Sequence, residues 1–448
     1  MSKTKRHLLL ISLFLPAIFC NTFSQNPIIR DQFTADPSAR VFNGKVYLYP
    51  SHDIRKDTGR FATWFCMEDY HVFSSENLTD WTDHGVIVSQ DEVNWVDPAS
   101  YSMWAPDCIA RNGKYYFYFP SNFKERYGRG FGIGVAVADK PYGPFTPQPE
   151  PINNVHGIDP NVFIDNDGQA YLYWSAGKIF VAKLKDNMLE LASEPKVIDN
   201  LPTEGLIEGP YLFERNGNYY LTYPHVEYET ERLEYAMGDN PMGPFRQTGV
   251  IMDESPTGCW TNHHSVIEYK GQWYLFYHHN DLSPHFDKNR SVRIDSLFFN
   301  PDGTIQKVEP TLRGVGLTLA SENIQIDRYT SKSAIGSSIA FNDSINTFEG
   351  WKTILDMPNA WIKYNAVDFG NKKIKSVQVK AKSLKGGTLQ IRLDKADGAI
   401  LCEVKIPKGT GWNRMNSNIF TYQAGIHNLI VILKDGNPVE IDWIRFNY

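Results

Sequence analysis

The chain has 448 residues, 42% hydrophobic and 14% aromatic, with 45 basic against 51 acidic side chains and a net charge of -6. That composition excludes a disordered chain, a coiled coil and a membrane bundle, and the length predicts two or three domains. With no clustered Lys/Arg footprint, nucleic acid is excluded as the partner, which leaves a small or neutral ligand.

The N-terminus reads as an export signal. Lys3, Lys5 and Arg6 precede an apolar run over 8–19 that is too short to span a bilayer as a mature helix. Small residues Thr22 and Ser24 predict a cut after Ser24 and a mature start at Gln25; lipidation at Cys20 is the rival, disfavoured by bulky Phe19. The expected location is periplasmic or extracellular, with no integral membrane segment once residues 1–24 are removed.

From residue 25 one turn recurs five times: Asn43-Gly44, Asn112-Gly113, Asp167-Gly168, Asn216-Gly217 and Lys270-Gly271, each leading into a Tyr-bearing run. Asn-Gly between apolar stretches is a strong hairpin signal, because a type I′ turn needs positive φ at both central residues. The copies are spaced for one four-stranded sheet each, which predicts a five-bladed β-propeller over 25–315. Gly143-Pro144-Phe145 and Gly243-Pro244-Phe245 repeat a second turn.

A polar residue precedes each turn in a shared register: Asp36, Asp107, Asp159, Glu208 and His263. Innermost propeller strands run along one axis, so equivalent positions converge at one end of the channel. A lone Asp-Pro such as Asp36-Pro37 or Asp159-Pro160 is more often a turn opener. Five in register point instead to chemistry, because gathered carboxylates raise one another's pKa and cost stability.

The pattern stops near Leu312, and 313–323 reads as a linker. Beyond it, strands predicted at 361–369, 376–381, 388–393, 402–406, 425–433 and 440–448 make 324–448 a β-sandwich of jelly-roll type, and the whole chain all-β. Cys66, Cys108, Cys259 and Cys402 are scattered, without Cys-x-x-Cys, and read as buried free thiols rather than a disulfide framework or zinc site.

Residues from about 30 to 312 resemble glycoside hydrolase family 43, through Thr34-Ala35-Asp36-Pro37, Trp104-Ala105-Pro106-Asp107, Ile158-Asp159-Pro160-Asn161, Glu208-Gly209-Pro210-Tyr211 and His263-His264-Ser265. The resemblance implies a general base at Asp36, a pKa-tuning and orienting carboxylate at Asp159 and a general acid at Glu208. It implies an axial His263 linked to a Ca2+ ion near the propeller axis, substrate contact by Arg290, and no organic cofactor. The like charge of Asp159 is expected to keep Glu208 protonated. Asp107 is read as structural or as a rim hydrogen-bond partner to substrate, and Trp104, Trp95 and Trp260 are candidates for stacking on sugar rings. His263 and His264 adjoin on a strand, so only one faces the channel, and register selects His263.

The C-terminal part resembles carbohydrate-binding module family 6, through Trp361-Ile362-Lys363-Tyr364, Val367-Asp368-Phe369-Gly370, Gly411-Trp412 and Ile441-Asp442-Trp443. Met415 and Glu440 replace a Trp and an Asn common in that family, and Gln325 and Asp327 stand where calcium-site acids open the module.

Together these imply an exported, inverting glycosidase that removes pentose from plant cell-wall polysaccharide. An α-L-arabinofuranosidase on arabinoxylan or arabinan leads; the segments Val72-Phe73-Ser74-Ser75 and Asp80-Trp81-Thr82-Asp83-His84-Gly85 resemble arabinoxylan-debranching members. A β-xylosidase on xylo-oligosaccharides, a retaining fructoside-cleaving relative and an inactive polysaccharide-binding protein are the alternatives.

Overall fold

The computed structural model describes residues 25–421 and 424–448; the expected export signal and Cys20 lie outside the described residues. Among them the chain forms seven sheets and only short 3₁₀ turns.

Five sheets build the first domain. Blades 1 to 4 have four strands each, opening with Ala35–Phe42, Asp107–Arg111, Ile158–Ile164 and Tyr211–Arg215; blade 5 has three, His264–Tyr269, Gln272–His279 and Ser291–Leu297. The opening strands neighbour one another in a closed cycle, so the sheets form a ring around one axis. The segment before blade 1 completes blade 5. Ile28 N–H donates to Val292 O at 2.9 Å, Thr34 N–H to Arg290 O at 3.0 Å, and the Asn26 side chain brackets the Ile294 backbone at 2.8 and 3.1 Å. The first described residues and the last blade of the propeller are thereby stitched together.

Strand alternation explains how the blades hold together. In the second strand of each blade successive side chains face opposite neighbours. Val46 and Leu48 pack toward blade 5, Tyr47 and Tyr49 toward blade 2. Leu172 and Trp174 pack toward blade 2, Tyr171 and Tyr173 toward blade 4. Each blade–blade seam thus has its own apolar cluster, and the aromatic excess of the composition fills these seams. The turns follow the sequence at four of five sites, where Asn43, Asn112, Asn216 and Lys270 adopt φ of 51–54° before a positive-φ Gly. The Asp167-Gly168 copy differs. Asp165 N–H donates to Gln169 O at 2.9 Å and only Gly168 has positive φ, so this loop is longer than a two-residue hairpin.

The second domain is a sandwich of two sheets around a separate core that includes Ile362, Tyr364, Val379, Ile391 and Ile441. The six expected strands are present. Four more are present: the two-residue Ser331–Lys332, and Ser337–Phe341, Trp351–Leu355 and Gly409–Asn418, of which Ser337–Phe341 and Gly409–Asn418 are sheet edges with little apolar alternation. The stretch 313–323 is not a bare linker. Thr318–Leu319 pairs in parallel with the sandwich strand Trp361–Asp368, Ala320 is buried in that core, and Arg313 donates to Asn365 O at 3.0 Å. The domains share an interface in which Phe33, Leu282 and Trp351 cluster, Arg328 lies 3.8 Å over the Trp351 ring, and Gln25 donates to Tyr364 Oη at 2.7 Å.

Candidate active site

Asp36, Asp159 and Glu208 line a single pocket at one end of the propeller axis, together with Trp104, His263 and Arg290. Backbone geometry aims the acids. Asp36 and Asp159 both have positive φ, 46° and 56°, and each lies beside a register shift between the first two strands of its blade. A bulge with a left-handed residue re-aims one side chain while the rest of the strand keeps its alternation, and strained conformers of this kind persist where the surroundings over-determine them. At Glu208 the following residue takes that conformation. Gly209 has φ of 53°, and a Cβ there would lie 2.9 Å from both Pro224 and His263, so no larger residue fits.

The electrostatics divide the acids. Burial pushes the Asp36 carboxyl up, but Arg290, whose Nη1 donates to Oδ1 at 2.7 Å, together with His278, His263 and Ser51 holds Asp36 below the usual carboxylate value. Asp36 N–H also donates to His278 Nδ1 at 3.0 Å, so that nitrogen is unprotonated; Nε2 lies 3.0 Å from Thr261 O and carries the hydrogen of a neutral imidazole. Asp159 is pushed well up, first by burial and then by the like charge of Glu208, although Gly209 N–H donates to it at 3.0 Å. Glu208 is raised by burial and by Asp36, against a hydrogen bond from Glu231. Burial leads at both acids, and the like charges of Asp159, Glu208 and Asp36 add to it. The result is one carboxylate held ionised and, facing it, two carboxyls inclined to keep a proton.

Of the two readings of Asp107 the structure bears out the structural one, and Arg290, expected to contact substrate, changes character. Asp107 sits in register but outside the pocket lining. It accepts from Ser38 Oγ at 2.6 Å, Arg40 Nε at 3.0 Å, Asn161 Nδ2 at 3.1 Å and Val162 N at 2.7 Å, which joins blades 1, 2 and 3 and leaves no lone pair for sugar. Arg290 lines the pocket, yet its guanidinium also forms a two-point pair with Asp53, Nε at 3.0 Å and Nη2 at 2.9 Å, and reaches Thr261 Oγ1 at 3.3 Å. Its donors are committed to protein, so it clamps Asp36 rather than offering a free hydrogen bond.

His263 faces the pocket and His264 turns away to Thr222 Oγ1 at 2.6 Å, as the alternation requires. Both ring nitrogens of His263 are buried without a partner among the described residues. The one group of His, Asp or Glu atoms at metal spacing among the described residues is His52, Asp69 and His71 on blade 1, so His263 offers an ion one nitrogen and leaves the remaining positions to water. Ca2+ takes oxygen ligands in variable geometry, so water would link it to His263, and the described residues form no closed protein cage for it. Trp104 and Trp260 line the pocket; Trp95 does not, being wholly buried between blades. The four described cysteines are free and buried.

Asp53, Glu231, Thr261, Trp64 and Phe65 were not anticipated. Asp53 is 1% exposed behind Arg290, and the other four line the pocket. They come from the ends of second and third strands and from connections, outside the register that singled out the first strands. In the sandwich domain Asp327 Oδ2 accepts from Arg328 Nε at 2.7 Å. Glu440 is bridged by Lys352 and Lys382 at 2.8 and 3.0 Å, and Met415 packs on the core.

The family model described as glycosyl hydrolases family 43 matches residues 24–305, and that of carbohydrate binding module (family 6) matches 345–448. Xylosidase/arabinosidase 43A of Humicola insolens is 40% identical over 63% of this chain and 99% of its own. An arabinoxylan arabinofuranohydrolase of Bacillus subtilis is 27% identical over 94% of this chain and 92% of its own. Among solved structures, CoXyl43, a β-xylosidase/α-arabinofuranosidase from a compost metagenome in calcium-free form with xylotriose, superposes with a TM-score of 0.58 at 36% identity, over 64% of this chain and 98% of that one. The arabinoxylan arabinofuranohydrolase of B. subtilis with cellotetraose superposes with a TM-score of 0.56 at 25% identity, over 95% and 99%.

Proposed function

Because the chain belongs to glycosyl hydrolases family 43, we propose that it is an exported, inverting α-L-arabinofuranosidase that releases pentose side groups from arabinoxylan or arabinan. The observation that carries this reading is the meeting of Asp36, Asp159 and Glu208 in one pocket, with one of them paired to Arg290. Hydrolysis needs a carboxylic acid to protonate the leaving oxygen and a carboxylate on the opposite face of the ring. Glu208, raised by burial and by Asp36, is the proton donor. Asp36, held ionised by Arg290, takes the proton of the attacking water. Asp159, pinned by Gly209 N–H, orients the sugar and Glu208. Trp64, Phe65, Trp104 and Trp260 wall the pocket, give an uncharged ring apolar faces and exclude water, which strengthens every charge interaction inside. A Ca2+ linked through water to His263 would add positive charge to the pocket.

Arabinofuranosidase is preferred because the likeness that spans both domains is to arabinoxylan arabinofuranohydrolases. The propeller alone is similar to xylosidase/arabinosidases, which keeps β-xylosidase as the second reading. Export rests on the charged and apolar start of the sequence, and plant cell-wall polysaccharide as partner on the family 6 module. Assay on the 4-nitrophenyl glycosides of α-L-arabinofuranose and β-D-xylopyranose separates the readings. The arabinofuranoside is expected to be cleaved with the higher kcat/KM; a reversed preference, with xylose released from xylotriose, would establish the xylosidase.

A further inference from the structure

Blade 1 carries a cluster of imidazoles and carboxylates that the hydrolytic pocket does not use. His52 follows the second strand of the blade, Lys45–Ser51; Asp69 and His71 lie on the third, Asp69–Ser75; Asp83 lies on the fourth, Thr82–Ser89. None of the four lines the pocket of Asp36 and Glu208. Asp69 and His71 stand two apart and share one face of their strand. Regular pairing onward from Asp69 and Ser89 would set Gly85 opposite Phe73, but the register shifts on both sides of His71 and sets Asp83 there instead. One donor atom each of His52, Asp69 and His71 lies within 4.8 Å of the other two, and the two rings meet edge-on with centroids 4.9 Å apart. His52 Nδ1 lies 2.7 Å from Asp69 Oδ1, and His71 Nδ1 lies 3.0 Å from Asp83 Oδ2. Asp83 is itself held, accepting from Gly85 N–H at 2.7 Å and from Gln32 Nε2 at 3.1 Å. The side chains of His52, Asp69 and His71 are 17%, 15% and 16% exposed, enclosed but open to an ion from solvent.

We propose that His52, Asp69 and His71 bind a divalent transition metal of the zinc class, with water as the fourth ligand and Asp83 orienting His71 from behind. Two imidazoles and one carboxylate suit such an ion, whereas Ca2+ and Mg2+ call for sets of oxygens. Ligand atoms about 2.1 Å from a tetrahedral ion stand about 3.4 Å from one another, so rotation of the side chains closes the set while the strands stay in place. A carboxylate on the far nitrogen is what fixes the tautomer and direction of a metal-bound histidine; with Asp83 on Nδ1, the nitrogen of His71 left for the ion is Nε2. The ion would fasten the third strand to the end of the second. The next residue there is Asp53, which holds Arg290 at two points, so the site braces the segment behind the pocket without entering the reaction.

The test strips the untagged full chain with EDTA and titrates it with Zn2+ by calorimetry and with Co2+ by visible absorption. The native chain is expected to take up one equivalent that His71→Gln loses, to give a Co2+ band absent from that variant, and to melt at a higher temperature with Zn2+ than with EDTA. The difference between the two chains isolates this site from any Zn2+ taken up by the pocket acids. Asp83→Asn keeps all three ligands and is expected to bind Zn2+ about 10–100-fold more weakly. His84→Gln should bind as the native chain does, because that ring turns to the opposite face and meets Ser74 Oγ at 2.8 Å. Equal uptake by the native chain and His71→Gln would leave two ordinary His–Asp hydrogen bonds and overturn the proposal, and unchanged affinity in Asp83→Asn would overturn the orienting role. Should His71→Gln not fold, the native chain decides alone: absence of both Zn2+ heat and a Co2+ band overturns the site.

Discussion

Glu208→Gln is expected to lower turnover of oligosaccharide substrates by about 10²–10⁴-fold while leaving the fold intact, because general-acid assistance has that size. The amide keeps the volume of the side chain beside Gly209, where little space is free, so the pocket should not collapse. The loss should depend on the leaving group. A dinitrophenyl pentoside departs without protonation and should retain near-native activity, whereas Asp36→Asn should lose activity on both substrates, since water activation is needed in either case. Steady-state rates on the two substrates with the two variants check this. Equal losses on both substrates for Glu208→Gln would remove it from the role of proton donor.

Arg290→Met is expected to destabilise the protein by about 3–5 kcal/mol, because removing one partner of a buried charge pair leaves an uncompensated charge. Two carboxylates would be stranded: Asp36, which Arg290 touches at 2.7 Å, and Asp53, which it holds at two points. Asp36 has a folded-state pKa below its unfolded value of about 3.9, so it contributes stability above that pH and loses it as pH falls through the lower folded value. The variant should therefore melt at lower temperature at pH 7, and the difference from the native chain should shrink under acid. Adding Asp53→Asn should recover part of the loss. Thermal denaturation at pH 7 and pH 3 reads all three effects, and a loss under about 1 kcal/mol would show that the pairing of Arg290 with Asp36 and Asp53 does not organise the pocket.

The propeller was legible because its turns demand what few residues supply. Asn43, Asn112 and Asn216 before Gly mark left-handed backbone, and the register between turn and acid carried Asp36, Asp159 and Glu208 to one place. Register alone left Asp107 open between a structural role and a rim contact. The sequence does not display Arg40, which reaches Asp107 from the inner strand of blade 1 and turns a channel acid into a joint between blades. Asp53 and Glu231 were hidden because they stand at strand ends with no repeated partner in other blades; their importance comes from a neighbour, Arg290 or Asn262, brought from far along the chain. The strand Gly409–Asn418 was missed because it is a sheet edge whose polar side chains face water, so it has no apolar alternation to read.

The assignment of Asp36 as the activator of water, facing Glu208 as acid, is tested most directly by the configuration of the first sugar released. Proton NMR followed from the start of hydrolysis, before the anomers equilibrate, should show L-arabinose leaving arabinoxylan oligosaccharides as the β anomer, with configuration inverted. First release as the α anomer would make an acid of this pocket a nucleophile and contradict the account.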